Sequence, residues 1–198
     1  LFNLDTKNQT IGIVGFGSIG QIVANYAFQL GMKVLINDPP LKNQNYNFPE
    51  IYHYADLDSL ISNSDILTNH IPLSFEGEYP SCNLFNMKNM INFKKNGLII
   101  HSSRGKVFDE NTLEYLNLEK KASLIIDVWE NEPDFNINLA TKTLIASPHI
   151  AGHSHNGKLL GTLKIIEIFE KYLSIEVDKK LIYDELSRNS LFSINDFK

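Results

Sequence analysis

The strongest constraint on this chain is an apolar run, Thr10-Ile11-Gly12-Ile13-Val14, that leads directly into Gly15-Phe16-Gly17-Ser18-Ile19-Gly20 and then into a helix-spaced segment. An apolar run without polar alternation reads as a strand covered on both faces. Glycines at this spacing let the chain turn sharply and begin a helix packed against the strand it has just left. Few folds other than a parallel α/β sheet contain that sequence of events.

The remainder of the chain keeps the alternation. Ile22, Val23, Tyr26, Ala27 and Leu30 have helical spacing and are expected to face inward, with Gly31 as the stop. Lys33–Asn37 reads as a second buried strand that ends at Asp38-Pro39-Pro40, and Asn43–Pro49 as a loop. A short strand is expected at Ile51–Tyr54 and a helix after Asp56 as cap. Then follow strand Asp65–Asn69, a helix around Leu84–Phe93, strand Leu98–His101, helix Asp109–Leu116, and strands Ser123–Val128 and Thr143–Ala146. Leu159–Leu173 is again helical in spacing, with Leu160, Leu163, Ile166 and Tyr172 as inward candidates. The predicted fold class is α/β, a Rossmann-type doubly wound parallel sheet.

Composition narrows the function. With 198 residues and 43% hydrophobic content, the chain can build one domain with a real core. A net charge of −5, without a basic block, gives no support to nucleic-acid binding. One cysteine, Cys82, leaves no disulfide framework and no cysteine metal site, which suits a reducing, cytoplasmic setting. No apolar stretch has the length of a membrane span. The first residue is Leu1 rather than Met, and the glycine turn follows almost at once, as in a piece of a longer chain.

The glycine turn points to a dinucleotide. Gly15 permits the tight turn, Gly17 lets backbone approach a pyrophosphate, and Gly20 lets helix and strand pack closely. Asp38, 18 residues beyond Gly20, ends the second strand. There a carboxylate accepts from ribose hydroxyls and repels a 2′-phosphate, which favours NAD over NADP.

Three later residues supply chemistry. Arg104 in Ser-Ser-Arg-Gly-Lys, Glu132 in Asp-Val-Trp-Glu-Asn-Glu-Pro and His149 in Ser-Pro-His-Ile-Ala-Gly each follow a predicted strand. Oxidising a hydroxy acid needs a base for the hydroxyl proton, a cation for the carboxylate and a group that tunes the base. Histidine, arginine and glutamate meet those needs in turn. Asp127, also at a strand end, either accepts from a nicotinamide carboxamide or caps a turn.

These residues resemble the D-isomer-specific 2-hydroxyacid dehydrogenases over Thr10 to Leu173. The resemblance rests on Gly15-x-Gly17-x-x-Gly20, His70-Ile-Pro-Leu73, Ser103-Arg104-Gly105, Asp127-Val-Trp-Glu-Asn-Glu-Pro133 and Pro148-His149-Ile150. It implies an NAD-dependent enzyme with Arg104, Glu132 and His149 as catalytic residues. It also implies NAD contacts at Ser18, Ile19, Asp38, Ile71, Ser102, Ser103, Arg104, Asp127 and Gly152. Asp38-Pro39-Pro40, Gly77-Glu-Tyr-Pro80 and Gly157-Lys158-x-x-Gly161-Thr162 resemble a branch of the family that acts on a phosphorylated sugar acid. In that branch a substrate-contacting tyrosine is common where His153 stands here; an imidazole also hydrogen-bonds phosphate.

The expected partner is thus a small phosphorylated 2-hydroxy acid, with no nucleic acid, metal or membrane, and a homodimer for the full-length family member. The same residues suit a dehydrogenase of another 2-hydroxy acid, such as 3-phosphoglycerate or a glyoxylate/hydroxypyruvate pair, or a non-catalytic NAD-responsive regulator. By resemblance, residues 1–150 form the NAD-binding domain and 151–174 a helix returning toward the substrate domain. Residues 175–198 begin a truncated C-terminal region, and most of the substrate domain is expected to be absent.

Overall fold

A computed structural model describes residues 6–189. The strands are β1 (Thr10–Val14), β2 (Lys33–Asn37), β3 (His53–Tyr54), β4 (Ile66–Asn69), β5 (Leu98–His101), β6 (Ser123–Ile126) and β7 (Ile145–Ala146). The helices are α1 (Ser18–Gln29), α2 (Pro39–Asn43), α3 (Leu57–Asn63), α4 (Met87–Met90), α5 (Glu110–Leu118), α6 (Ile137–Ala140), α7 (His155–Leu173) and α8 (Lys180–Asn189). The described strands form one seven-stranded sheet in the order β3-β2-β1-β4-β5-β6-β7, parallel throughout. The order reverses between β1 and β4, and at such a switch point open α/β sheets bind ligands beyond the carboxyl ends of their strands.

The apolar strands divide their side chains between two cores. Ile11, Ile13, Val34 and Ile36 point to the face that carries Ala24 and Ala27 of α1. Val14, Leu35 and Leu67 point to the face packed by Leu60, Ile61, Met90, Phe93, Leu113 and Leu116. Strand side chains alternate faces, so a strand apolar at every position can serve both cores. Gly12 keeps one of those faces open, because a Cβ there would lie 2.5 Å from Leu60 Cδ2 and 2.2 Å from Ser64 Oγ.

Helix ends follow local chemistry. The Asp56 side chain accepts from Ser59 N at 2.9 Å, and the Asp109 side chain from Thr112 N at 3.0 Å. Such caps each contribute about 1 kcal/mol. Gly31, at φ +80°, stops α1 with its amide donating to Phe28 O at 2.9 Å.

Several expectations need correction. Ile22, Tyr26 and Leu30 of the α1 segment are 55%, 60% and 56% exposed; Ala27 is buried as expected and Val23 half-buried, and the helix buries Gly20 and Ala24 beside Ala27. The helix axis lies too close to β1 for larger side chains between them. The prolines after Asp38 do more than end β2. They occupy the first positions of α2, where a missing N–H costs nothing, and Asp38 caps the helix. The helix expected around Leu84–Phe93 is a single turn, capped reciprocally by Asn86 and Asn89, while Phe85 and Phe93 anchor the flanking loops in the core. β7 has two residues, and its Ile145 is 53% exposed, as suits an edge strand.

The chain divides into two compact units, one ending at Pro148 and one beginning at His149. In the second unit α8 packs along α7. Lys179 bridges to Glu170 at 2.6 Å, and Val177 N donates to the same carboxylate at 2.8 Å. Of the four inward candidates on α7, Leu163 is buried and Ile166 half-buried, while Leu160 and Tyr172 are 40% and 82% exposed. One short partner helix covers only part of a 19-residue helix. The segment expected to be a tail contains α8; residues 190–198 lie outside the described residues.

Candidate active site and cofactor cleft

The glycine turn is held by steric necessity. Gly15 has φ +90°, and a Cβ on it would meet Ile71 Cγ2 at 2.7 Å and His70 O at 2.9 Å. A Cβ on Gly20 would lie 2.0 Å from Gly15 O, which fixes how closely α1 rests on β1. Gly17 differs, since a Cβ on it would meet nothing within 4 Å. It faces open space at the start of α1, beside first-turn amides, including those of Ser18 and Ile19, that have no acceptor within the helix. That is the geometry an anionic pyrophosphate needs. Phe16 clamps the turn from below, its ring 5.7–6.3 Å from those of Tyr46, Phe48 and Tyr52.

Beside this turn lies a cleft of about 760 Å³, lined on one side by Pro40, Leu41 and Tyr54 and on the other by Ile71, Pro72 and Leu84. Asp38 stands at its edge. Its Oδ2 accepts from Phe16 N at 2.7 Å and its Oδ1 from Leu41 N at 3.0 Å. These bonds orient the carboxylate, and each oxygen keeps a lone pair for a ribose hydroxyl. An apolar slot, an acid at its rim and an open helix N-terminus fit the adenosine and pyrophosphate of NAD. His70 also lines the cleft, and burial pushes its imidazole below the usual histidine range.

The candidate chemical residues of the first unit lie on the loops that follow β5 and β6. Ser103 is buried and Arg104 is exposed, its Nη1 donating to Ser103 O at 2.7 Å. Ser102 lies half-buried before them. The Arg104 loop is pressed against the loop after β6, for a Cβ on Gly105 would lie 1.9 Å from Trp129 O. Glu132 is exposed there, and its Oε1 accepts from Trp129 N at 2.7 Å, which folds the carboxylate back over its own loop. Asp127 is buried and accepts from Ser147 Oγ at 2.6 Å, so it also ties β6 to the end of β7. Trp129 is packed against Phe135 and donates from Nε1 to Ser147 O at 2.9 Å.

His149, Gly152 and His153 belong to the second unit. His149 has φ +56°, and its ring meets that of His153 edge-on at 6.0 Å. Gly152 and His153 are exposed. Ser154 caps α7 through Gly157 N at 3.0 Å, so Gly157, Lys158, Gly161 and Thr162 form its first turns.

Three features of the site have contacts that the sequence motifs do not specify. Tyr79, on the loop after β4, bonds Asn43 of α2 and donates to Glu78 at 2.8 Å, across the rim of the cleft. Phe16 reads as a variable position inside the glycine motif. His101, at the end of β5, is buried, and its partners are Asn69 and the Gly105 carbonyl.

Among the described residues, no helix is long and apolar enough to cross a membrane. Nor do their histidines, cysteines and acids form a group able to hold a metal ion.

Residues 2–151 match the family described as D-isomer specific 2-hydroxyacid dehydrogenase, NAD binding domain. The chain is 40% identical over 160 residues to erythronate-4-phosphate dehydrogenase of Wigglesworthia glossinidia brevipalpis, which is 79% of this chain and 40% of that protein. It is 38% identical over 188 residues to the Bacteroides fragilis enzyme of the same name, 94% of this chain and 53% of that protein. The chain thus spans about half or less of the length of these relatives. Among solved structures, D-lactate dehydrogenase of Aquifex aeolicus, complexed with NAD and lactic acid, superposes with a TM-score of 0.64 at 28% identity, covering 82% of this chain and 54% of that one. An NAD-dependent formate dehydrogenase of Staphylococcus aureus gives 0.69 at 25% identity, covering 88% and 52%. This chain belongs to the D-isomer-specific 2-hydroxyacid dehydrogenase family and carries its NAD-binding domain.

Proposed function

We propose that the protein oxidises 4-phospho-D-erythronate to (R)-3-hydroxy-2-oxo-4-phosphooxybutanoate with NAD as oxidant, a step toward pyridoxal 5′-phosphate. The observation that carries the reading is the 36–40% identity to several erythronate-4-phosphate dehydrogenases. Support comes from the locked Arg104 loop at the carboxyl edge of the sheet and from the Gly157-Lys158 segment opening α7.

In this reading Arg104 binds the substrate carboxylate and polarises the reacting C–O bond, through a guanidinium fork that suits a planar carboxylate. His149 takes the hydroxyl proton, and Glu132 favours the charged imidazole that results. NAD, when bound, accepts the hydride. The protein holds its pyrophosphate at Gly17, Ser18 and Ile19, its ribose at Asp38 and its adenine beside Ile71. Gly15 and Gly20 set the turn, Ser102, Ser103, Asp127 and Gly152 line the nicotinamide end, and His153 meets the substrate. We place the working enzyme in the cytoplasm as a homodimer.

The test is a substrate panel on the natural full-length protein, followed by NADH absorbance. 4-Phosphoerythronate should give the highest kcat/KM among it, 3-phosphoglycerate, glycerate and glycolate; a higher value on another acid overturns the substrate. His149→Ala should lower kcat by roughly 10²- to 10⁴-fold while NAD still binds. Unchanged turnover would remove His149 from its role, and NADH binding without turnover on any 2-hydroxy acid would favour a regulator.

A further inference from the structure

Beneath the Arg104 loop lies a row of buried polar side chains, two of which, Asn69 and His101, the chemistry above leaves unused. Asn69 ends β4 at 0% exposure, His101 ends β5 at 1%, and Ser103 follows at 7%. His101 Nδ1 is 3.1 Å from Asn69 Nδ2, and His101 Nε2 is 3.3 Å from Gly105 O. Ser103 Oγ donates to Asn69 Oδ1. With Asn69 oriented this way, one proton assignment satisfies every contact. Ser103 gives to Asn69, Asn69 gives to Nδ1, and Nε2–H gives to the Gly105 carbonyl, with the imidazole neutral. A proton on Nδ1 would face the Asn69 amide protons and force that amide to flip. After such a flip Asn69 Nδ2 would donate to the Ser103 hydroxyl oxygen, so the neutral assignment belongs to the amide orientation shown.

The row ends on both sides of Arg104. Ser103, whose carbonyl accepts from the guanidinium, is tied through its hydroxyl; Gly105, on the other side, is tied through its carbonyl. The same Gly105 carbonyl accepts from Phe108 N at 3.3 Å, and Arg104 O accepts from Val107 N at 3.0 Å, which closes a single 3-10 turn. The Phe108 ring covers His101 at 4.9 Å and stacks on Phe85 at 4.3 Å, keeping water from the row. A buried network with every member satisfied is rigid and specifies one arrangement.

We infer that His101, linked to Asn69, is the positioning residue of the catalytic loop: it fixes both neighbours of Arg104 and so sets where the guanidinium meets a substrate carboxylate. The inference rests on the role proposed above for Arg104.

The test compares His101→Leu, which removes both bonds, with His101→Gln, which keeps a donor for Gly105 O, in the natural full-length protein. The leucine variant should lose roughly 10- to 100-fold in kcat/KM for the hydroxy acid, the size expected of a misplaced binding group. The glutamine variant should recover most of that loss, and NAD affinity should stay within roughly threefold in both. Amide hydrogen exchange at Gly105–Phe108 should rise about tenfold in the leucine variant, with β5 unchanged. Where the leucine variant does not fold, Asn69→Ala, which removes the second link, is held to the same two readouts.

Wild-type kinetics and exchange in the folded variant would overturn the inference. So would a loss of NAD affinity as large as the loss in kcat/KM, or a glutamine variant no better than leucine. Arg104→Ala separates the two layers. If that variant keeps turnover, the role of Arg104 fails, and the exchange experiment still decides whether His101 holds the loop.

Discussion

The two ends of the cleft-bearing sheet edge are built on different principles. Around β1 and β2, position is set by what has no side chain: Gly12, Gly15 and Gly20 each lie where a Cβ would strike a neighbour at 2.0–2.7 Å. Around β5 and β6, one such steric contact recurs at Gly105, and position is set in addition by side chains that bond one another, namely Asn69, His101, Ser103, Asp127 and Ser147. A steric site tolerates little change but needs no particular charge state. A hydrogen-bonded site depends on every proton being in its place. The cofactor end therefore answers to volume, and the chemical end answers to pH as well.

The largest effects should come from forcing volume into each end. Gly20→Ala sets a methyl 2.0 Å from Gly15 O, and Gly105→Ala sets one 1.9 Å from Trp129 O. Both obstacles are backbone, so each variant should be destabilised by about 3 kcal/mol or more, at the upper end of overpacking costs. Urea unfolding measures this. The two should then part in NADH titrations of the folded fraction. Gly20→Ala distorts the turn proposed to receive the pyrophosphate and should abolish measurable binding, whereas Gly105→Ala should retain it within about tenfold. Equal losses would show that the two ends are not separately built.

The second effect is carried mainly by the chemical end. Burial pushes the His101 imidazole down to about 4, against opposing pulls from its bond to the Gly105 carbonyl and from the nearby Glu132 carboxylate. The unfolded chain takes up that proton near the ordinary value of about 6.5, and the folded chain resists it until about 4. The folded state thus binds fewer protons in that window. This contribution to stability is complete above pH 6.5, falls as pH drops toward 4, and amounts to roughly 3 kcal/mol in full. About 2 kcal/mol of it should be lost between about pH 7 and about pH 5. His70, also lowered by burial, acts with the same sign. The pH dependence of the urea midpoint should therefore flatten in His101→Gln relative to wild type. An unchanged slope would mean that His101 is as easily protonated in the fold as out of it.

The same contrast decides what the sequence made legible. β2 and β5 run over Lys33–Asn37 and Leu98–His101, as their apolar runs predict, because a short unbroken apolar run closed by a polar residue marks its own end. The glycine turn was equally plain, since steric demands leave their mark as missing side chains. In a parallel sheet, every strand's carboxyl end lies on one edge whatever the strand order, so motifs that follow strands fall on that edge without any tertiary knowledge. The inward face of α1 misled because Ile22 and Tyr26 are the larger apolar residues, and close packing selected Gly20, Ala24 and Ala27. β3 and β7, with two residues each, carry too little pattern to bound. The His101 row was illegible because a histidine at a strand end looks the same whether it faces a cleft or a neighbouring asparagine. Only the register that sets Asn69 beside His101 distinguishes these cases.

Gly17 offers the finest cut, because it separates fold from function at one atom. It is the N-cap of α1 with φ −72°, which alanine adopts freely, and an added Cβ meets nothing within 4 Å. Alanine is a poorer N-cap than glycine by up to about 1 kcal/mol. Removing a glycine also takes roughly 0.4–1 kcal/mol of freedom from the unfolded chain, which acts in the opposite direction. Gly17→Ala should therefore leave stability within about 0.5 kcal/mol of wild type. The new methyl would instead occupy the space through which a pyrophosphate approaches the first-turn amides, and NADH should bind about tenfold more weakly, a change of about 1.4 kcal/mol. Gly20→Ala should harm both properties; Gly17→Ala should harm binding alone. Unweakened NADH binding in a stable Gly17→Ala protein would move the pyrophosphate away from this turn, and with it the reason for the glycine.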